Sequence, residues 1–170
     1  PALRKILKQH LTELKYGSSH KDQHNSLLLL GHLISASTTL VRPYVGDILK
    51  ALTPKIGAAD AQISASALST LRQLTAVGQD VVAQHGHELI PIMVQQLQDQ
   101  SSLPKLRVAL GALGDVIQCA ASVFSDPSYP QLLRTTHRLL EQGSALPWDI
   151  QQEAFRLVGL IGAVDPFTRD

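Results

Sequence analysis

Apolar residues recur along this chain at the three- and four-residue spacing of helices, and four segments share one leucine-rich pattern: 26–37, 65–78, 107–122 and 151–164. Superposed, they place Leu30, Leu71, Leu113 and Val158 in one column and Leu33, Leu74, Val116 and Ile161 in a second. The first column advances by 41, 42 and 45 residues, within the roughly 40–47-residue period of HEAT- and armadillo-type helical pairs. Between these A helices a second helix, B, recurs. Val41, Ile48, Leu49, Leu52 and Ile56 match Val82, Leu89, Ile90, Met93 and Leu97 at a constant offset of 41. A looser third copy over 129–141 keeps Leu132, Leu133, Leu139 and Leu140. The pattern predicts an all-α chain, an α-solenoid of about three to four HEAT-type hairpins, each an A helix, a short turn and a B helix.

Local signals set the expected boundaries. Residues 1–20 read as the B helix of a truncated repeat, 21–59, 60–101 and 102–145 as full repeats, and 146–170 as the A helix of another truncated one. Pro43 suits a first helical turn, where a missing N–H is tolerated. Asp60 is placed to cap an A helix that Gly78 stops, and Gly57-Ala58-Ala59 joins it to the repeat before. Ser102 with Pro104 opens the next A helix, Gly143 closes the third B helix, Pro147 opens the last A helix and Pro166 follows its end. Gly31, Gly114 and Gly159 share one column, with Arg72 as the exception. A mid-helix glycine costs about 1 kcal/mol against alanine, so close approach of a neighbouring helix is expected at all three. The chain begins at Pro1 and is expected to be a segment cut from something longer on both sides.

Composition narrows the function. At 170 residues with 44% hydrophobic side chains, a continuous core is expected, and 4% aromatics argue against a sandwich or barrel. The formal charge of +1 gives no general attraction to nucleic acid. The longest apolar run, Leu27 to Leu30, is far too short to insert in a membrane, so a cytoplasmic protein is expected. One cysteine, Cys119, excludes an internal disulfide and reads as a small core residue. No GxGxxG, GxxxxGK[ST], GxSxG, HRD or DFG motif occurs, so no catalytic residue is assigned and a small helical enzyme has no support. His20 and His24 could share a helix face, but two histidines and Asp22 do not make a metal centre. A solvated helix end is the simpler reading, and neither a metal nor a cofactor is expected in this chain. His85 and His87 read as a turn into a B helix.

Candidate contacts are with proteins. Arg4, Lys5, Lys8, Lys15 and Lys21 against Glu13 give +4 locally, 5 minus 1, and Arg4, Lys8 and Lys15 fall on one helix face. That face is either simply solvated or a site for an acidic partner. Arg42, Tyr44 and Trp148 are further candidates, with Trp148 expected to pack into an inter-repeat groove or to serve as a binding anchor.

Several blocks, in order, carry a resemblance that spans nearly the whole chain. They are Pro1-Ala2-Leu3-Arg4-Lys5-Ile6-Leu7, Gly31-His32-Leu33-Ile34, Arg42-Pro43-Tyr44 with Ile48-Leu49-Lys50-Ala51-Leu52, and Ser101-Ser102-Leu103 with Arg107-Val108-Ala109-Leu110. Tyr129-Pro130 and Glu153-Ala154 through Gly159-Leu160-Ile161-Gly162-Ala163-Val164-Asp165-Pro166 complete the series. This series resembles the helical-repeat region of the target-of-rapamycin (TOR) kinases. The resemblance implies a non-catalytic HEAT-repeat scaffold from the N-terminal half of a large Ser/Thr kinase, whose ATP and Mg sites lie in a distant kinase domain. It also implies contacts with a Raptor-like regulatory subunit and a second TOR protomer, in a complex at the lysosomal or vacuolar membrane surface. The other reading is a free-standing HEAT adaptor, of the transport-receptor or phosphatase-scaffold type, without a kinase.

Overall fold

The computed structural model describes residues 2–164, most of them helical and none in a strand. The helices are α1 (Ala2–Tyr16), α2 (His20–Ala36), α3 (Thr38–Val41), α4 (Val45–Ile56), α5 (Ala61–Val77), α6 (Gln79–Gln84), α7 (Gly86–Gln98), α8 (Leu103–Cys119), α9 (Tyr129–Gln142) and α10 (Trp148–Val164). The expected stop at Pro166, and Pro1 and Asp165 of the resemblance, lie outside the described residues. The fold is all-α, of the helical-repeat solenoid class. The chain divides into two compact units after Val82.

In the first unit α1 packs on α2 and α4, and α5 packs on α2 and α4. In the second, α8 packs on α7 and α10, and α9 on α7 and α10. The periodic positions supply the core. Leu30, Leu71 and Leu113 are fully buried, as are Ile48, Leu49, Leu52, Ile56 and their offset partners Leu89, Ile90, Met93 and Leu97.

The connection between A and B helices differs from the expected short turn. Val41 and Val82, assigned to the B helices by periodicity, sit instead in the short helices α3 and α6, although both are fully buried. Pro43 explains the first break. It has no N–H to donate, and the chain tightens into a 3-10 turn over Arg42–Tyr44 before α4 begins. The caps follow the sequence more closely. Asp60 accepts from the N–H groups of Gln62 (2.8 Å) and Ile63 (2.9 Å), and Ser102 accepts from Lys105 N–H.

The glycine column has split roles. A Cβ on Gly31 would lie 2.7 Å from Gln73 Oε1 of α5, and one on Gly114 would lie 3.1 Å from Arg156 Nη1 and Leu160 Cδ1 of α10. Close approach therefore holds at those two. At Gly159 it does not, because nothing lies within 4 Å. The same end of the molecule leaves Val158 41% and Phe155 57% exposed, whereas their equivalents 45 positions earlier, Leu113 and Leu110 of α8, are fully buried. Leu133 of the looser B helix is also exposed, on the outer side of α9. In each case the period is right, but no helix covers the position among the described residues.

Two substitutions separate these glycine roles. Gly143 has φ 47° and ψ −124°, a region in which side chains are strained. Gly143→Ala is expected to lose about 1–3 kcal/mol. Gly159→Ala, mid-helix with open space around it, should gain up to about 1 kcal/mol. Urea unfolding of both variants checks this, and a destabilised Gly159→Ala would mean a neighbour does approach there.

Acid should loosen the fold through two aspartates. The N–H of Ile63, then that of Gln62 and the His20 ring, hold the Asp60 carboxyl below its usual range; Lys105, then Ser101, hold Asp99 far below it. An unfolded aspartate titrates near 4. Both carboxylates therefore stabilise the fold fully above about pH 5, and that contribution fades as pH drops through 4 and below. Circular dichroism at fixed denaturant should show this acid limb, flattened in Asp99→Asn; an unchanged limb in that variant would assign it to other groups.

Candidate partner-binding surface

The basic stripe forms because α1 presents Arg4, Lys8, Leu11 and Lys15 at i, i+4, i+7 and i+11, a run of about 16 Å at 1.5 Å per residue. The adjacent stripe, Leu7 and Leu14, is buried and fixes which way α1 faces. This stripe forms one wall of a groove of about 710 Å³, and Tyr44 and Asp47, at the start of α4, form the other. Arg4, Lys5, Lys8 and Lys15 are all exposed at its rim, while Leu11 and Tyr44 are half-buried in it. Lys15 Nζ stands 5.2 Å from the centre of the Tyr16 ring, a cation–π contact that keeps its charge by the rim.

The one acid of α1 does not neutralise the stripe. Glu13 points to the α2 side, where it accepts from Ser26 Oγ (2.9 Å) and Gln9 Nε2 (3.1 Å) and meets His10 Nδ1 at 3.0 Å. Those bonds, Gln9 first, hold its carboxyl below the usual range and keep it ionised. The groove thus carries four cations against Asp47 alone.

The structure brings together Arg4, Lys8, Lys15 and Tyr44 of the candidate residues. Arg42 is exposed but lines a separate cavity of about 440 Å³ with Thr38, Thr39 and Gln73. Trp148, in the second unit, is 68% exposed, so the expected packing into a groove does not occur. It is the first residue of α10 and projects from the helix end. Sequence reading overlooked Leu11, whose i+3 spacing from Lys8 was available, and Asp47, which reaches the site only because α4 packs on α1.

The other tempting side chains are structural. His20 Nδ1 meets Asp60 Oδ2 at 3.1 Å and His24 Nδ1 meets Ser66 Oγ at 2.9 Å, so both bridge α2 to α5. No group of three or more metal-ligating side chains gathers among the described residues. Cys119 is half-buried with its thiol on the Val116 carbonyl, and burial pushes its pKa up, the opposite of an activated thiolate. No helix among the described residues is long and apolar enough to cross a membrane.

These features define the class: an all-α helical-repeat protein whose candidate site is an open, basic, apolar-floored groove. No protein-family model matches the chain. Its sequence is, however, similar to a segment of the TOR serine/threonine kinases, as the ordered motifs suggested. It is 33% identical over 168 residues to serine/threonine-protein kinase TOR2 of Saccharomyces cerevisiae, 36% over 172 to TOR of Oryza sativa and 34% over 172 to TOR of Arabidopsis thaliana. Each match covers 98% of this chain and 7% of the relative's length.

Proposed function

We propose that this chain is a non-catalytic scaffold segment of a TOR-type serine/threonine kinase, holding a Raptor-like regulatory subunit and a second kinase protomer in growth signalling. The observation that carries this reading is the match to TOR kinases over 98% of the chain. An all-helical repeat fold supports it, since stacked hairpins offer long surfaces whose affinity comes from area and a few anchors. ATP and Mg then belong to a kinase domain elsewhere in such a protein, and the complex to the cytoplasm or a lysosomal or vacuolar surface.

A pull-down of the 170-residue chain against a purified Raptor-like subunit, at low and moderate salt, tests the proposal. Capture that weakens with salt is the expected result. Absence of capture at either salt would remove the subunit contact from the reading.

A further inference from the structure

The α1–α4 groove is more specific than a basic patch. We infer that it binds an acidic peptide segment of a protein partner, with one apolar anchor inserted beside Leu11 and Tyr44. The inference rests on the scaffold reading and names what one part of that scaffold takes.

Three observations point to this occupant. The α1 wall carries Arg4, Lys5, Lys8 and Lys15, and none of them is paired with an acid among the described residues. The one acid of α1, Glu13, is committed to Ser26, Gln9 and His10 on the other side of the helix. Cations left unpaired along a helix attract carboxylates over a distance and fix their register on contact. Next, the floor is apolar and aromatic, with Leu7, Leu11 and Tyr44 along it. A peptide brings both carboxylates for the cations and a Leu or Phe for this floor. Finally, the facing wall holds Asp47. It would repel a uniformly anionic ligand and favours a segment with one cation on the side away from α1. The stripe of about 16 Å matches roughly three turns of helix, so an amphipathic acidic helix fits its length.

The test uses the whole 170-residue chain and a fluorescein-labelled, glutamate-rich amphipathic peptide with one Phe and one Lys. Fluorescence anisotropy should show saturable, salt-sensitive binding, weakened about tenfold or more when Arg4→Glu, Lys8→Glu and Lys15→Glu are combined. These side chains are exposed, so melting curves should show the variant folded. Replacing the peptide's Phe by Ala, or Tyr44→Ala in the protein, should also weaken binding. With Asp47→Lys, a peptide carrying Glu in place of its Lys should become the better ligand.

Binding that ignores the triple reversal or the loss of Phe would overturn the inference, as would no binding at all. Displacement by phosphatidylserine vesicles would reassign the groove to a lipid surface, and displacement by oligothymidine to nucleic acid. If the peptide fails while the pull-down above still captures its subunit, the scaffold reading stands and the groove is not its contact.

Discussion

Leu113→Ala is expected to remove about 3 kcal/mol of stability, inside the ~2–5 kcal/mol range for buried leucine truncations. Val158→Ala, in the same repeat column, should change it by about 0.5 kcal/mol or less. The two residues are equivalent in sequence but not in surroundings. Leu113 is fully buried on α8, which packs on α7 and α10, while Val158 on α10 is 41% exposed. Truncation at Leu113 removes methyl groups from a packed site that can relax only in part, so a cavity adds to the lost transfer energy. At Val158 water already occupies much of the space. Urea unfolding at low protein concentration, with m-values compared, makes the measurement. Equal losses would mean that the α10 face is covered in solution, and a concentration series would then show whether copies of the chain cover it.

The second large effect is expected at Lys105. Its side chain is 3% exposed, its ammonium pairs with the Asp99 carboxylate, and it reaches Gln96 Oε1 at 3.3 Å. Lys105→Glu would set a carboxylate against that of Asp99 with no cation left between them. A loss of roughly 3 kcal/mol or more follows for a buried charge left without its partner. Lys105→Met should cost much less, because it removes the charge and leaves a chain of similar length, while the half-exposed Asp99 returns to water. Chemical denaturation of both variants separates the possibilities. If Glu and Met were equally tolerated, the side chain at 105 would be reaching solvent and the pair would carry no stability.

Both cases show how the fold lay in the sequence. The 41- and 42-residue spacings placed Leu30, Leu71 and Leu113 in the core because a helix repeats its facing residues every third or fourth position, and each core layer needs a large apolar side chain. Caps were legible for the same local reason. The side chain of Asp60 reaches N–H groups two and three residues on, so the sequence alone holds both partners. Val41 and Val82 have the burial that periodicity predicts but sit in separate short helices, because periodicity does not register a chain break such as the one Pro43 imposes after Val41. Trp148 stays exposed rather than packing into a groove, because an aromatic at a helix start is buried only if a neighbour arrives to cover it.

The candidate groove divides along the same line. The spacing of Arg4, Lys8 and Lys15 fixed a basic stripe, since helical geometry depends only on residues within one element. Sequence alone therefore determined an all-α repeat fold, its principal core positions and that stripe. Tertiary packing decided the rest. It turned Glu13 away toward Ser26, brought Tyr44 of the 3-10 turn and Asp47 of α4 to face α1, sent Arg42 to a different cavity, and left Gly159 and Val158 open. Those outcomes depend on contacts between residues far apart in the chain, where a one-dimensional pattern shows which face is apolar but not what comes to lie against it.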